Sequence, residues 1–468
     1  MTINTRIVCT IGPASDSTEV LTRLIDAGMN VARLNFSHGD FDSHARAIAR
    51  IRAASGHGGR GVAILGDLAG PKMRIGRLRE EPLTLKAGDR FILTSQSLLG
   101  DARRVSVSFT RLPEVVSPGD RLFLNDGLIE LEVEQACGNE IHCRVRVGGE
   151  IRSHKGLNLP GIDLGIRAFT DNDRRWLRFA SEQGIDAVSQ SFVSRADDIE
   201  AVREAADALD YHPFLIAKIE RAQALQHIDA ILDVADGIMV ARGDLGVEIP
   251  IERIAIEQKE LIRKARQKAR PVITATQMLA SMTHVRRPTR AEATDVANAI
   301  LDGSDCVMLS EESAMGAYPV ESARMLGRIA AVTEPHPDAC DSGNPVLPPR
   351  KPPEMVDLIA ANIDQTLRYI TPSAILAPTR SGATARNIAR FRLAVPVTAF
   401  TTHPASAQAL RFSYGVEPVL LDKEPDEWTR FSREWLAKKG FRSGMALLVQ
   451  GPSPSHPEQP HRLDMIAL

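Results

Sequence analysis

A (β/α)8 barrel carrying a β-rich domain inserted after strand three, with an α/β domain at the C-terminus, is the fold class this sequence predicts. Three observations predict it. Eight near-continuous apolar runs alternate with helix-like stretches as far as Leu309. The alternation breaks once, between the third and fourth runs. A Pro-rich stretch at 336–354 then precedes a second α/β series.

The eight runs are Arg6–Ile11, Val31–Phe36, Val62–Asp67, Ala187–Phe192, Phe214–Ile219, Gly237–Ala241, Pro271–Ala275 and Cys306–Leu309. Strands apolar on both sides suit a parallel sheet covered on both faces. Glu19–Ala27, Ala196–Ala208, Glu252–Lys268 and Glu292–Leu301 have helical periodicity between them. Eight such alternations predict a closed barrel. From Lys72 to Leu164 the pattern changes to short strands with Gly-Asp and Gly-Gly turns. An insertion there sits over the C-terminal mouth, where active sites of this architecture lie. The expected division is 1–70 with 165–335 for the barrel, 71–164 for the lid-like insert, 336–354 for a linker and 355–468 for the last domain.

Composition narrows the function. The chain has 468 residues, of which 43% are hydrophobic and 25% charged, so a largely disordered chain is excluded. It carries 57 Lys and Arg against 59 Asp and Glu. That balance gives no global basic field for nucleic acid or an anionic membrane. No run of apolar residues is long enough to span a bilayer. MTINTRIVCTIG runs straight into a strand, so no secretory signal is expected. Five cysteines without a CxxC pair suggest neither a disulfide framework nor a zinc site, and a cytoplasmic location is expected.

Polar residues recur where the strands end. Strand two gives Arg33, Asn35 and Ser37; strand three gives Asp67; strand four gives Ser189 and Ser191. Strand five gives Lys218 and Glu220, strand six Arg242 and Asp244, strand seven Thr274 and Thr276, strand eight Ser310 and Glu312. Side chains two apart on a strand share a face, so these groups are expected to converge on one mouth. Glu220 and Asp244 are then placed to hold one Mg²⁺ or Mn²⁺, because hard divalent cations take oxygen ligands and leave positions for phosphate. Arg33, Arg74, Lys218 and Arg242 are read as four cations around a small, multiply anionic substrate. Phosphoryl transfer needs that combination. No GxxxxGK[ST] or GxGxxG segment supports a P-loop or Rossmann reading.

Eight segments carry a resemblance: RIVCTIGPAS (Arg6–Ser15), NVARLNFSHG (Asn30–Gly39), DLAGPKMRIG (Asp67–Gly76), KGLNLPG (Lys155–Gly161), IAKIE (Ile216–Glu220), IMVARGDLGVEIP (Ile238–Pro250), ITATQMLASM (Ile273–Met282) and RPTRAEATDVANAILDGSDCVMLS (Arg287–Ser310). By these the chain resembles pyruvate kinase over essentially its whole length. The resemblance implies transfer of the phosphoryl group of phosphoenolpyruvate to ADP, giving ATP and pyruvate in the last step of glycolysis. It implies that Lys218 stabilises the phosphoryl group in flight, and that Glu220 and Asp244 hold Mg²⁺ or Mn²⁺. Arg33 and Arg74 would lie against phosphate oxygens. The N–H groups of Gly243 and Asp244 would bind the substrate carboxylate, as helix N-termini bind anions. Thr276 would serve protonation of the enolate through water. The nucleotide would lie near Asn35, His38, Arg74 and Lys155, and Ser310 and Glu312 would order waters. A homotetramer, and a lid hinged near Pro71 and Pro160, are further expectations of the resemblance.

Three departures from the family stand out. Many members hold K⁺ with the equivalents of Asn35, Ser37, Asp67 and the next carbonyl, here that of Leu68, and carry Glu five positions after the Asp. Here that position is Lys72. An ammonium is a compact monovalent cation, so Lys72 is expected to replace K⁺. Glu311 stands where much of the family has Gly. The C-terminal tail lacks the family's Gly-rich last loop, so a sugar-bisphosphate response is not expected. The turn at Thr379, Ser381, Gly382 and Thr384 is the candidate effector loop, since such a turn can cradle phosphate. Two other readings are a metal-dependent barrel lyase acting on a 2-oxo acid and a non-catalytic regulatory relative.

Overall fold

The structure, a computed structural model, describes residues 3–57, 61–162, 164–336, 346–347, 353–452, 458 and 460–468. The Pro-rich linker read at 336–354 lies almost wholly outside the described residues.

Eight parallel strands close a barrel: β1 (Arg6–Thr10), β2 (Met29–Asn35), β3 (Ala63–Leu68), β4 (Ala187–Gln190), β5 (Phe214–Ile219), β6 (Gly237–Ala241), β7 (Val272–Ala275) and β8 (Cys306–Leu309). Each pairs with its neighbours in chain order, and β1 closes on β8 with Arg6 opposite Cys306. Period-two alternation divides each strand. Val8, Val31, Leu65, Ile216, Met239, Ile273 and Met308 fill the interior. Ile7, Cys9, Ala32, Leu34 and Ile64 pack outward against the helices. The fourth apolar run stops short of Phe192 as a strand, because Phe192 adopts φ +60°, which ends an extended segment.

The insert has its own core between Met73 and Leu164. Six strands form its main sheet, in the order 157–158, 121–124, 129–137, 140–147, 90–94 and 104–106. The two longest show why they pair as they do. Ile129, Leu131 and Val133 alternate with Glu130, Glu132 and Glu134, while Ile141, Cys143 and Val145 alternate with His142, Arg144 and Arg146. One face is apolar and buried, and the other lays Arg146 on Glu132 at 2.7 Å and Arg144 on Glu134 at 2.6 Å.

The last domain is a five-stranded sheet in the order 416–420, 397–401, 374–378, 445–450 and 462–467, parallel except for the last strand. It seals the foot of the barrel. Phe412 is fully buried and stacks on Phe214 with ring centroids 5.5 Å apart. Arg6 Nε donates to the Ser413 carbonyl at 3.0 Å, and Arg392 pairs with Asp305 at 2.8 Å. The foot of the barrel is thus plugged by the last domain.

Candidate active site

Strand parity builds the mouth. Val31 faces inward, so Arg33 and Asn35 follow it on the same face. Leu65 sets Asp67, Ala187 sets Ser189, Ile216 sets Lys218, and Met308 sets Ser310 in the same way. Arg33, Asn35, Ser37, Asp67, Lys72, Ser191, Phe192, Lys218, Glu220, Asp244, Thr276 and Ser310 line one open cleft of about 520 Å³. Ser189 lies beneath it, against Asp67.

Lys218 is the hub of that cleft. Its Nζ lies 2.8 Å from Glu220 Oε1 and 3.3 Å from Asp67 Oδ2, and it donates to Ser191 Oγ at 2.7 Å. Burial opposes its charge, but Asp67 and Glu220 outweigh burial and raise its pKa above the ordinary lysine value. Lys218 therefore stays an ammonium at neutral pH. Asp67 also accepts from Ser189 Oγ at 2.6 Å and from Arg33 Nε at 3.1 Å. Burial pushes its pKa up, yet Lys218, Arg33 and the Ser189 hydrogen bond overcome that and hold it below the ordinary carboxylate range. Glu220 goes the other way. Burial raises its pKa first, Lys218 opposes, and the nearby Asp244 charge raises it again.

The last two carboxylates pass the test for a hard cation. Glu220 and Asp244 offer oxygen donors only, and Asp244's charge penalises ionised Glu220, a penalty that a divalent ion between them would remove. No cluster of three or more His, Cys, Asp or Glu suited to a metal occurs among the described residues. A two-carboxylate site that leaves positions for water and substrate oxygens is how Mg²⁺ is commonly held.

The helix Arg242–Glu248 starts where β6 ends and brings Asp244 into its first turn. The Gly243 N–H donates to Thr276 Oγ1 at 2.8 Å, and Thr276 Oγ1 donates to the Ala275 carbonyl at 2.6 Å. Thr276 and Gln277 both have positive φ, +69° and +54°, so the chain after β7 turns back on itself at the mouth.

Arg242 and Thr274 do not join the mouth. The chain enters a helix at Arg242, so strand parity ends at Ala241. The Arg242 guanidinium instead binds Asp295 Oδ1 at 2.7 Å, the Thr276 carbonyl at 2.8 Å and the Ala275 carbonyl at 3.2 Å. Thr274 lies between inward-facing Ile273 and Ala275, faces outward, and meets Ser304 Oγ at 2.7 Å. Glu312 is also spent on backbone, accepting from Ser310 N at 2.7 Å and Leu279 N at 3.1 Å. Glu311 is exposed at the start of the next helix.

At the root of the insert, Lys72 sets Nζ 3.6 Å from Asp244 Oδ1. Asn35 uses its side-chain oxygen to accept from Ser37 N at 3.1 Å, and Leu68 is fully buried as the last residue of β3. Arg74 stands at the margin rather than in the cleft lining, donating to the His154 carbonyl at 3.0 Å. Its charge still reaches His38, whose pKa falls through partial desolvation and then through Arg74, Lys72 and Arg33. Lys155 lies on the returning chain, its carbonyl accepting from Ile75 N at 3.0 Å, and is outside the cleft lining. In the last domain, Gly382 has φ +84° at the start of helix Ala383–Ala389, and its N–H donates to Thr379 Oγ1 at 3.0 Å. Ser381 is exposed and Thr384 half-buried beside it.

Two contributors to the site escaped the reading of strand ends. Thr10 accepts from Arg33 Nη1 at 2.9 Å, and its parity with Val8 was a usable signal. The Phe192 N–H donates to Glu220 Oε2 at 2.8 Å, and no side-chain pattern announces a phenylalanine in the left-handed region.

Residues 2–323 match the family model for the pyruvate kinase barrel domain, and residues 357–456 the one for the pyruvate kinase alpha/beta domain. A pyruvate kinase of Thermococcus litoralis is 46% identical over 428 residues, 90% of each chain. One from Clostridium acetobutylicum is 40% identical over 460 residues, 97% of this chain and 96% of that one. The crystal structure of a pyruvate kinase from Cryptosporidium parvum superposes with a TM-score of 0.90 at 36% identity, covering 99% of this chain and 96% of that one.

Proposed function

The chain belongs to the pyruvate kinase family, and from that premise we propose that its barrel mouth moves the phosphoryl group of phosphoenolpyruvate to ADP without help from K⁺. The observation that carries the reading is the buried Lys218 ammonium, suspended between Glu220, Asp67 and Ser191 at the floor of an otherwise open cleft.

In the reaction the bond from phosphorus to the enol oxygen breaks, and a bond to a terminal oxygen of ADP forms. The enolate left behind then takes a proton at its methylene carbon. Lys218, kept charged by its two carboxylates, donates N–H to the oxygens of the phosphoryl group as their charge spreads. Arg33, its fork fixed by Asp67 and Thr10, lies alongside as a second cation. Glu220 and Asp244 would hold Mg²⁺, which supplies charge neutralisation on phosphate oxygens. The N–H of Gly243, now satisfied by Thr276, is the donor that a substrate carboxylate would claim. Thr276 Oγ1 would then be free to order the water that protonates the enolate.

Lys72 supports the K⁺-independent reading. Its ammonium lies in the lining of the same cleft as Asn35, Ser37 and Asp67. A fixed monovalent charge there does the electrostatic work of a bound alkali ion.

The test is pyruvate formation from phosphoenolpyruvate and ADP with Mg²⁺, in buffer free of K⁺ and then with K⁺ added. Equal turnover in both is expected. Turnover only with K⁺ would keep the kinase and remove the role given to Lys72. No pyruvate in either buffer would overturn the proposed reaction.

A further inference from the structure

Beneath the mouth, β4 runs beside β3 with Ser189 opposite Asp67 in the register. Both face the barrel interior, Ser189 two positions on from Ala187 and Asp67 two on from Leu65. Ser189 has no exposed surface and Asp67 is 2% exposed, so protein groups decide how the carboxylate is turned. Its two oxygens are used unequally. Oδ1 accepts from Ser189 Oγ at 2.6 Å, its one hydrogen bond among the described residues. Oδ2 takes the cations: Arg33 Nε at 3.1 Å, Arg33 Nη2, and Lys218 Nζ at 3.3 Å.

That division is unusual for an arginine. A guanidinium and a carboxylate commonly form two parallel bonds, one nitrogen to each oxygen. Arg33 instead brings Nε and Nη2 to the same oxygen. The strand order explains it. Arg33 reaches Asp67 from β2, on one side of β3, and Ser189 holds Oδ1 from β4, on the other. Without the Ser189 hydroxyl, Oδ1 would be a buried charged acceptor with no donor, a costly state. Turning the carboxylate toward the Arg33 fork would relieve it. The guanidinium would stay, because Thr10 Oγ1 accepts from its Nη1 at 2.9 Å. Lys218 is the partner that would lose. Its contact with Oδ2, at 3.3 Å, is longer than those with Glu220 at 2.8 Å and Ser191 at 2.7 Å.

We propose that Ser189 is a positioning residue of the transfer site: by occupying Oδ1 it keeps Arg33 from capturing Asp67 with both nitrogens, and so keeps Asp67 shared between Arg33 and Lys218. The proposal rests on the reading of Lys218 as the group that steadies the phosphoryl group. Ser189 is outside the cleft lining and acts only through Asp67. Its hydroxyl sets where the Lys218 ammonium stands when substrate arrives.

The test compares the unaltered chain with Ser189→Ala, alone and combined with Arg33→Lys. A lysine at position 33 has no fork and cannot hold the carboxylate with two nitrogens. Ser189→Ala alone is expected to lower kcat and kcat/KM for phosphoenolpyruvate together by about tenfold with KM unchanged, the pattern of an interaction made in the transition state. That is less than the loss of about 10²-fold from a full 1 Å misplacement. In the Arg33→Lys background the same substitution is expected to change kcat by less than about twofold. An unchanged kcat in Ser189→Ala overturns the proposal. So does an equal loss in both backgrounds, which a mere packing role for Ser189 would give. The crystal structure of Ser189→Ala reads the cause without the reaction. Arg33 Nε and Nη2 are expected on separate oxygens of Asp67, with Lys218 Nζ farther from Asp67 than its present 3.3 Å. Both nitrogens still on one oxygen overturns the proposal. If the unaltered chain forms no pyruvate, the transfer reading falls, and that structure still decides whether Ser189 orients Asp67. Should Ser189→Ala not fold, Ser189→Cys, which fills the space with a weak donor, replaces it in every arm.

Discussion

Lys72 Nζ stands 3.6 Å from Asp244 Oδ1, joining the root of the inserted domain to the carboxylate in the first helical turn after β6. Lys72 lies at the root of the insert and Asp244 beside the barrel strands, so this contact ties the insert to the mouth. Both side chains are partly exposed, and the pair itself is worth little as stability. Its weight is functional. The ammonium shares one cleft with Asn35, Ser37 and Asp67, and the K⁺-independent reading proposed above rests on that placement.

Lys72→Glu is therefore expected to create a K⁺ requirement. In K⁺-free buffer its turnover should fall about 10²-fold, the usual cost of losing one fixed charge at a phosphoryl-transfer site. Added K⁺ should restore part of the loss, while the unaltered chain ignores K⁺. A K⁺ titration of both proteins by a coupled pyruvate assay reads the difference. An unaltered chain that itself needs K⁺ would remove the assignment.

Lys218→Met should lower kcat by about 10³-fold or more, because it deletes the buried charge proposed to stabilise the transferring group. It also leaves Asp67 and Glu220 facing each other across the vacated space. Those carboxylates would then take up a proton at higher pH than before. Far-ultraviolet circular dichroism checks that the barrel persists, and a fully active variant would sink the mechanism.

Asp67 and Glu220 predict opposite pH behaviour, although both touch the Lys218 ammonium. The pKa of Asp67 is depressed, so its contribution to stability is present above the unfolded carboxylate value of about 3.9 and is lost as pH falls through the lower folded value. The pKa of Glu220 is raised, so the folded state ionises it reluctantly. Its ionised form costs stability above the unfolded value, and that cost is relieved as pH falls through the folded value. If Glu220 holds Mg²⁺ as proposed, only its ionised form can do so, and Mg²⁺ affinity should fall on the acid side at a pH above the ordinary glutamate value. Mg²⁺ titrations across pH check this, and Glu220→Gln should bind Mg²⁺ weakly at every pH tested.

Arg242 holds the turn after β7 by bonding the Ala275 and Thr276 carbonyls while Asp295 steadies its other end. Arg242→Met should release Thr276 from its left-handed conformation and displace the hydroxyl that meets Gly243 N. A displacement of about 1 Å at a reacting centre costs about 10²-fold in rate. The expected signature is a fall in kcat of that size with a smaller change in the KM for ADP, since Asn35, His38 and Arg74, expected beside the nucleotide, do not contact Arg242. Loss of the charge-assisted hydrogen bonds should also lower stability by about 2 kcal/mol. Steady-state kinetics and urea unfolding separate the two effects.

The barrel and the site at its mouth were legible because strands write both in one alphabet. An inward Val31 or Ile216 makes the residue two positions on, Arg33 or Lys218, point to the mouth. The rule fails where strands end. At Arg242 the chain coils into a helix, and at Thr276 it enters the left-handed region, so parity misplaces Arg242 and gives no orientation for Thr276. Thr274 points away for a simpler reason: Ile273 and Ala275 own the inner face, so the residue between them faces outward. The meeting of Arg266 and Arg270 with Arg386, Arg390 and Arg392 was illegible, because the two segments come together only after the last domain docks.

That docking rests on Phe412, and its removal is the last outcome the structure predicts. Phe412 has no exposed surface and stacks on Phe214 at an interplanar angle of 17°, with the barrel interior above it. Apolar contact at a barrel's foot has no functional reason to be strained, so truncation should cost the full transfer and cavity terms, about 3–5 kcal/mol for Phe412→Ala. The polar contacts around it, Arg392 with Asp305 and Arg6 with the Ser413 carbonyl, remain in the variant. They hold orientation but leave a void beneath β5. Calorimetry should show a lower unfolding midpoint, and kcat at a temperature well below that midpoint should be nearly unchanged, because Lys218 and its partners lie at the far end of the strands. A variant as stable as the unaltered chain would mean that the last domain is held by its arginines instead.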